Sequence, residues 1–384
     1  MDTPYFLISL DTLNENIRAF QDALNTVWPG SILSYSVKTN ALPWLLKYLK
    51  SRGVWAEAVS DEEYRLSLLC GYQSNIIFNG PIKGQKTFAR ALQTDAIVNI
   101  DSENDLLFLE ELHPKTATVG LRVNVDPNVF APEDIAYHED GFRFGFSVEN
   151  GAFRSALERV TRSVEQPKIG LHLHCNTITR SIAAYKAIAR FAARIVRMHA
   201  FSPSFIDMGG GFFGGVEGKP TPLDYVTDIR GELETTVDIR STRLIVEPGS
   251  AIIGSAADLV TSVVDVKDTD RARIVTTDGS RVHIDPLWVK TRYLYSIQSD
   301  SQKTIDKQII CGYTCMDHDR IMTLSDERAL QKGDRLVYHR VGAYSMTFGG
   351  MFIRCLPDVY VREHGRIEKV RSRIDMDTYY DINS

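Results

Sequence analysis

Polar residues and glycines recur where short apolar runs end, and their types are those of a catalyst. Lys38 follows the run at 32–37, and Glu57 lies in the run at 54–59. Asp101 follows 96–100, and Arg122 and Asn124 lie at the end of 118–123. His174 follows 168–173, Gly209-Gly210-Gly211 follows 204–208, and Glu247-Pro248-Gly249 follows 243–246. A lysine amine is a nucleophile toward carbonyl carbon, and carboxylates and imidazoles move protons. A glycine run permits positive φ and lets backbone N–H groups converge on a phosphate.

The glycine run also fits G-x-G-x-x-G as Gly209, Gly211 and Gly214, with Glu232 or Glu234 about twenty residues on, the spacing of a dinucleotide site. That reading needs a helix to open within the motif, whereas Gly215, Gly218, Pro220 and Pro222 would break one. A metal reading of His172-Leu173-His174-Cys175 fails on strand alternation, because Cys175 points opposite to His174 and three ligands cannot converge. No metal is expected.

The elements that must position these residues alternate regularly. Strands are predicted at 32–37, 54–59, 75–78, 96–100, 118–123, 168–173, 204–208 and 243–246, with helices between them. The helix over 181–199 places Ile188, Phe191, Ile195 and Met198 on one face, a stripe for core packing. Eight buried strands in little more than 200 residues predict a (β/α)8 barrel over 11–256, whose chemistry sits at the C-terminal strand ends. Beyond Ala257 the runs 258–266, 273–277, 308–312, 335–341 and 359–363 predict an all-β domain over 257–384, joined by an N-terminal strand from 1–10.

Phosphate sites in such barrels commonly use the loops after strands seven and eight, where Gly209–Gly211 and Gly249-Ser250 fall. A phosphate site beside a lysine on an apolar strand points to pyridoxal 5'-phosphate, whose aldehyde forms a Schiff base with an amine.

Composition excludes other classes. Of 384 residues 43% are hydrophobic and 24% charged, no run reaches the roughly 18 apolar residues of a membrane span, and the net charge of −5 offers no field for nucleic acid. A small-molecule partner is expected. The N-terminus carries no secretory signal, and Cys70, Cys175, Cys311, Cys315 and Cys355 contain no C-x-x-C pair, which predicts free thiols and a cytoplasmic location.

In chain order, Ser34-Tyr35-Ser36-Val37-Lys38-Thr39-Asn40, Val59-Ser60-Asp61-Glu62-Glu63, Asn99-Ile100-Asp101-Ser102-Glu103, Gly170-Leu171-His172-Leu173-His174, Asp207-Met208-Gly209-Gly210-Gly211, Glu247-Pro248-Gly249, Gly312-Tyr313-Thr314-Cys315 and Gly342-Ala343-Tyr344 resemble the motifs of the fold-type III pyridoxal-phosphate decarboxylases. These are the ornithine, diaminopimelate and carboxynorspermidine decarboxylases, with alanine racemase as a more distant relative and owner of the same barrel-plus-β fold. The resemblance implies that Lys38 is the Schiff-base lysine and that Glu247 hydrogen-bonds the pyridine nitrogen. It also implies that His174 stacks on the ring, that Arg122 lies near its phenolate oxygen and that Glu57 belongs to the cofactor site. Cys315 resembles a residue that a second subunit contributes, returning a proton to the substrate carbon, so a homodimer with shared sites is implied. The racemase branch carries an arginine where Glu247 stands, so decarboxylation is favoured. Racemisation and non-catalytic cofactor binding are the alternatives.

Four departures from the family pattern bear on the cofactor phosphate and the substrate. The family's Glu-Pro-Gly-Arg reads Glu-Pro-Gly-Ser here, so Ser250, Thr177, Tyr344 and backbone N–H groups must replace a charge-assisted hydrogen bond of about 1.5–3 kcal/mol. Met316 stands where the ornithine and diaminopimelate branches place an acidic residue after the cysteine; the carboxynorspermidine branch resembles this chain in having an apolar residue there. Asn176 replaces a usual glycine, and Asp285-Pro286 an arginine-proline clamp for a distal carboxylate. Asp317, Asp319 and His283 are the other candidates for the substrate's distal group, and a diamino or conjugated amino acid, from polyamine or specialised metabolism, is expected.

Overall fold

The computed structural model of the chain describes residues 1–384. It contains two compact units, one spanning Asn16–Ile252 and the other combining Met1–Glu15 with Ile253–Ser384. The chain opens with β1 (Tyr5–Ser9) of the second unit and runs into α1 (Leu10–Val27). No helix is long and apolar enough to cross a membrane.

The barrel strands are β2 (Ile32–Ser36), β3 (Trp55–Ala58), β4 (Ile76–Phe78), β5 (Ile97–Ile100), β6 (Thr116–Asn124), β8 (Gln166–His172), β9 (Phe205–Asp207) and β10 (Arg243–Val246), with β7 (Phe146–Ser147) attached to β6. Parallel pairing runs β5-β4-β3-β2-β10-β9-β8-β6, and β6 returns to β5, closing an eight-stranded cylinder. Helices α2 (Pro43–Ser51), α3 (Asp61–Leu69), α4 (Gln85–Gln93), α5 (Glu103–Leu112), α6 (Ala152–Ser163), α7 (Ile182–His199) and α8 (Pro222–Leu233) fill the intervals. Ser60, Ser102, Ser181 and Thr221 cap α3, α5, α7 and α8, each accepting from a backbone N–H in the first turn, which fixes where those loops end.

Inside the cylinder the period-two alternation of the strands sorts side chains into layers. Ile32, Ile77, Ile97, Phe205 and Ile245 pack together as an apolar layer. Gly120 and Gly170 leave room for Phe205, since a Cβ on Gly170 would lie 2.5 Å from its ring. Two residues beyond each apolar member comes a buried polar one: Ser34, Asn79, Asn99, Asp207 and Glu247. The same step leads from Gly120 to Arg122 and from Gly170 to His172. The apolar layer therefore supports a polar layer nearer the strand C-termini. Phe205→Ala, which empties the space that the two glycines keep clear, is expected to cost about 3–5 kcal/mol in denaturant unfolding.

α7 begins at Ile182, one residue later than the predicted helix, because Ser181 is its cap. Ile188, Phe191 and Ile195 are buried, but Met198 is 58% exposed. At 3.6 residues per turn the inward seam passes instead to His199, whose ring packs 5.1 Å from Phe153.

In the second unit β11 (Ala257–Asp268) is central. It pairs with β1, with β12 (Arg273–Thr277) and, further along the chain, with β18 (Arg335–His339). β13 (Leu294–Gln298) adds to β18, β15 (Gln308–Cys311) to β12 and β16 (Arg320–Leu324) to β15, while β14 (Thr304–Ile305) and β17 (Glu327–Arg328) form a separate small ladder. β19 (Asp358–Glu363) lies parallel to β1 and pairs with β20 (Arg366–Arg371). Tyr5, Val260, Val337 and Tyr360 form one core cluster, with the Tyr5 and Tyr360 rings edge to face at 5.4 Å. β13, β16 and β20 were not expected from the sequence. β20 reads Arg-Ile-Glu-Lys-Val-Arg, and charge of this kind, which discourages edge-to-edge association, also hides the strand from an apolar-run search.

Candidate active site

β2 ends at Ser36, and the single 3₁₀ turn Val37–Thr39 carries Lys38 at the barrel mouth. Its Nζ lies 2.8 Å from Glu57 Oε2 and 2.5 Å from Ser36 Oγ, and Ser36 itself donates to Glu57. The lysine side chain is 37% exposed, whereas Glu57 is buried. Burial pushes the Glu57 carboxyl up, but the Lys38 charge and the hydrogen bonds from Lys38 and Ser36 outweigh it and hold the carboxyl below its ordinary pKa. This is an ion pair with one wet and one dry member.

The other Glu57 oxygen accepts from Asn79 Nδ2 at 3.0 Å, and the same nitrogen donates to Glu247 Oε1 at 2.8 Å. Asn99 Nδ2 donates to Asn79 Oδ1 at 2.7 Å and to Asp207 Oδ2 at 3.1 Å; Gly209 N–H donates to Asp207 Oδ1 at 2.9 Å. Asp207 and Glu247 are themselves hydrogen-bonded. Burial first, then neighbouring carboxylates, pushes Glu247 well above the usual carboxylate range, and burial pushes Asp207 up to about 7. His172, with both ring nitrogens buried and unpartnered, lies 3.9 Å from Glu247 and is kept neutral by burial and by the Arg122 charge. Sequence reasoning gave no role to Asn79, Asn99 or Asp207, although the last two lie in motifs quoted above. The step of two from apolar to polar in successive strands was the signal that could have found them.

His174 lies just beyond β8 and is half-buried. Its Nδ1 accepts from Gly210 N–H at 3.1 Å, and burial, then the Arg122 and Lys38 charges, lower its pKa to about 3. Arg122 donates to Asp101 Oδ2 at 2.7 Å in a buried ion pair, stacks 4.3 Å over Phe144 and retains a buried Nε with no protein partner. Asp101 also accepts from Gly145 N–H, and Asn124 holds the carbonyls of Phe142 and Phe144. Thr177 is buried beyond the same strand.

Gly209 and Gly211 have φ of +64° and +90°. A Cβ on Gly209 would collide with the His174 ring, one on Gly210 would lie 2.5 Å from Glu247 O, and one on Gly214 2.6 Å from Ala251 O. Glycine is required here by close approach as well as by dihedral. No helix opens within the G-x-G-x-x-G spacing; α8 starts at Pro222, so a dinucleotide motif is absent. Gly249 packs against Thr39, and Ser250 opens the short helix α9 (Ser250–Ile253).

The donor set fits pyridoxal phosphate. An amine at a strand mouth, a buried carboxyl, a neutral imidazole, a guanidinium with an orphaned N–H and a side-chain-free loop suit its aldehyde, ring nitrogen, ring face, phenolate and phosphate.

The remaining candidates lie in the β-rich unit. Cys315 is exposed in the turn after β15, with Met316 half-buried and Asp317 exposed beside it. Asp319 is buried and accepts from Ser280 Oγ, Arg281 N–H and the N–H and Oγ1 of Thr314. Its carboxylate organises this turn, with its oxygens engaged by these four donors. His283 is also buried, its ring 5.4 Å from that of Tyr313. Burial lowers its pKa to about 4, which keeps the ring neutral, and Nε2 lies 3.4 Å from Tyr313 Oη. Asp285 is ion-paired with Arg281 at 2.9 Å and accepts from Tyr293 Oη at 3.0 Å. Tyr344 is exposed with φ of +53°.

The sequence pattern of the family described as pyridoxal-dependent decarboxylase, pyridoxal binding domain, matches residues 10–254. The chain is 27% identical over 395 residues to a "Probable diaminopimelate decarboxylase, chloroplastic" of Oryza sativa subsp. japonica, covering 98% of this chain and 79% of that one. The solved diaminopimelate decarboxylase of M. jannaschii superposes with a TM-score of 0.87 at 21% identity, covering 100% of this chain and 92% of that one. The Paramecium bursaria Chlorella virus arginine decarboxylase bound to agmatine gives 0.77 at 20%, covering 94% and 98%.

Proposed function

The chain belongs to the pyridoxal-dependent decarboxylases, and from that premise we propose that it removes the α-carboxylate of a diamino acid or a conjugate of one, with Lys38 as the cofactor lysine. The observation that carries the reading is the connection of the Lys38 amine, through Glu57 and Asn79, to the buried Glu247 carboxyl at the C-terminal ends of the barrel strands. When bound, pyridoxal phosphate links to an amine through a C=N bond and accepts the electron pair released as the bond from Cα to the carboxylate breaks. Residues 11–256 are read as the cofactor-binding domain and 257–384, with 1–10, as the β-rich one.

Each residue then has a bounded task. Glu57 and Ser36 orient Nζ and are the acceptors in place for the proton that the lysine must shed before it can attack a carbonyl. His174, neutral at working pH, offers a flat face without adding charge. The Arg122 Nε supplies a buried donor, its other end anchored by Asp101. The Gly209–Gly211 loop, with Ser250 and Thr177, would hold the phosphate in place of the family arginine. Protonated Glu247, itself buried, would present a proton to the ring nitrogen.

A cytoplasmic homodimer completes the reading, with the partner's copy of Cys315 returning the proton and Asp317 meeting a distal amine. The exposed apolar residues Phe348, Phe352 and Ile353 support this, with Phe352 O accepting from Tyr313 Oη two residues from Cys315. Mixing and exchanging Lys38→Ala and Cys315→Ala subunits, each inactive alone, is expected to restore about a quarter of wild-type turnover, as a twofold shared site requires. No recovery would place both residues in one chain's site.

The substrate is tested by measuring released carbon dioxide over meso-diaminopimelate, ornithine, lysine, arginine and carboxynorspermidine. Turnover of at least one is expected. Epimerisation at Cα without carbon dioxide from cofactor-loaded protein would overturn the decarboxylase assignment in favour of a racemase.

A further inference from the structure

Asp207 is fully buried, and it closes a ring of four side chains drawn from β4, β5, β9 and β10 or the residues just beyond them. Asn79 donates to Glu247, Glu247 bonds to Asp207, Asn99 donates to Asp207, and Asn99 also donates to Asn79. The groups facing the two carboxyls are few. Glu57 is engaged by Lys38, Ser36 and Asn79, and Lys38 by Glu57. His172 stands 3.9 Å from Glu247 without a hydrogen bond, and Gly209 N–H supplies a backbone donor to Asp207. With the lysine spent on Glu57 and a neutral imidazole on the other side, two buried carboxyls in contact can be accommodated only by holding one proton between them.

We infer that Asp207 is a positioning residue that sets the basicity of Glu247, and through it the protonation of the cofactor's ring nitrogen. This rests on the reading that Glu247 meets that nitrogen. The proton shared by the pair leaves the Glu247 oxygen as the bond from nitrogen to hydrogen forms. The pair passes from one negative charge to two, and the added charge is held against the new positive charge on the ring. Asn99 and Gly209 N–H stabilise the charge left on Asp207. An amide at 207 would donate to Glu247 instead of repelling its charge, lowering the proton affinity of both Glu247 and the ring. A merely structural Asp207 would not change the ring's titration.

The test loads full-length wild-type protein, D207N, D207E and E247Q with pyridoxal phosphate labelled with ¹⁵N in the ring and follows the nitrogen shift from pH 6 to 9, alongside the visible absorbance of the lysine-bound cofactor. E247Q is expected to lose the protonated signal throughout. D207N is expected to keep the visible band but to lose its ring proton at a pH lower by at least about one unit, a tenfold change in proton affinity. D207E should recover much of the shift. A D207N titration identical to wild type, with E247Q altered, overturns the role of Asp207 while leaving Glu247 in place. Identical titrations of E247Q and wild type overturn the underlying reading and this inference with it. If D207N does not fold, Asn99→Ala, which strips one donor from Asp207 but keeps its charge, should move the transition to higher pH; no shift, or a downward one, overturns the proposal.

Discussion

Lys38→Ala protein, incubated with pyridoxal phosphate and freed of excess, is expected to be colourless and to release carbon dioxide at least about 10³-fold more slowly than wild type, the scale of losing a positioned proton-transferring group together with the covalent link. Borohydride reduction of wild type should trap the cofactor on the peptide containing residue 38, and the variant should give no such peptide. Added ethylamine is expected to restore a measurable part of the rate, because Ser36 and Glu57 remain to orient an amine. A coloured variant, or trapping at Lys83, would reassign the cofactor lysine. Lys83 is the natural competitor, but its amine is fully buried, 2.7 Å from Asp105 and 2.7 Å from Gly80 O, with burial lowering its pKa. The half-exposed Lys38 is the lysine that a phosphorylated aldehyde can reach.

Glu247→Gln is expected to retain colour and a cofactor affinity near that of wild type but to lower kcat about 10²–10³-fold, the effect of removing one preorganised charged partner from a water-excluded site. Retention follows because Lys38, Arg122 and the glycine loop are untouched. The loss follows because an amide cannot give its proton to the ring. Measuring kcat, substrate KM and bound cofactor together separates the outcomes. A kcat within twofold of wild type would show that Glu247 serves only the packing of the barrel, and loss of cofactor with unchanged stability would make it a binding group.

Much of this arrangement is legible in the sequence, because a buried parallel strand is a short apolar run and all eight barrel strands lie within a few residues of their expected bounds. Lys38, Glu57, Arg122, His174 and Glu247 are legible for the same reason: a polar residue at or just beyond such a run lies at the mouth of the cylinder. Asn79 follows the run at 75–78 as Lys38 follows its own and was simply not assigned a role, whereas Asn99 and Asp207 lie inside their runs, pointing into the cylinder two residues beyond Ile97 and Phe205. In the β-rich unit, β13 and β16 are short, half-polar strands whose signal is pairing rather than composition. Asp317 and Asp319 are equivalent as letters. Burial and four donors make one a structural anchor and leave the other exposed.

By itself the sequence determined which residues alternate inward and where the chain must turn, since both follow from local backbone geometry and from apolar periodicity. Only the tertiary structure decided which of them meet. Closure of the sheet brings residues from β4, β5, β9 and β10 into one dry layer, and there the cost of desolvating charge pairs Glu57 with Lys38 and makes Asp207 and Glu247 share a proton. Interactions between groups some twenty to 170 residues apart in sequence depend on distance and dielectric, and neither is written in the order of the residues.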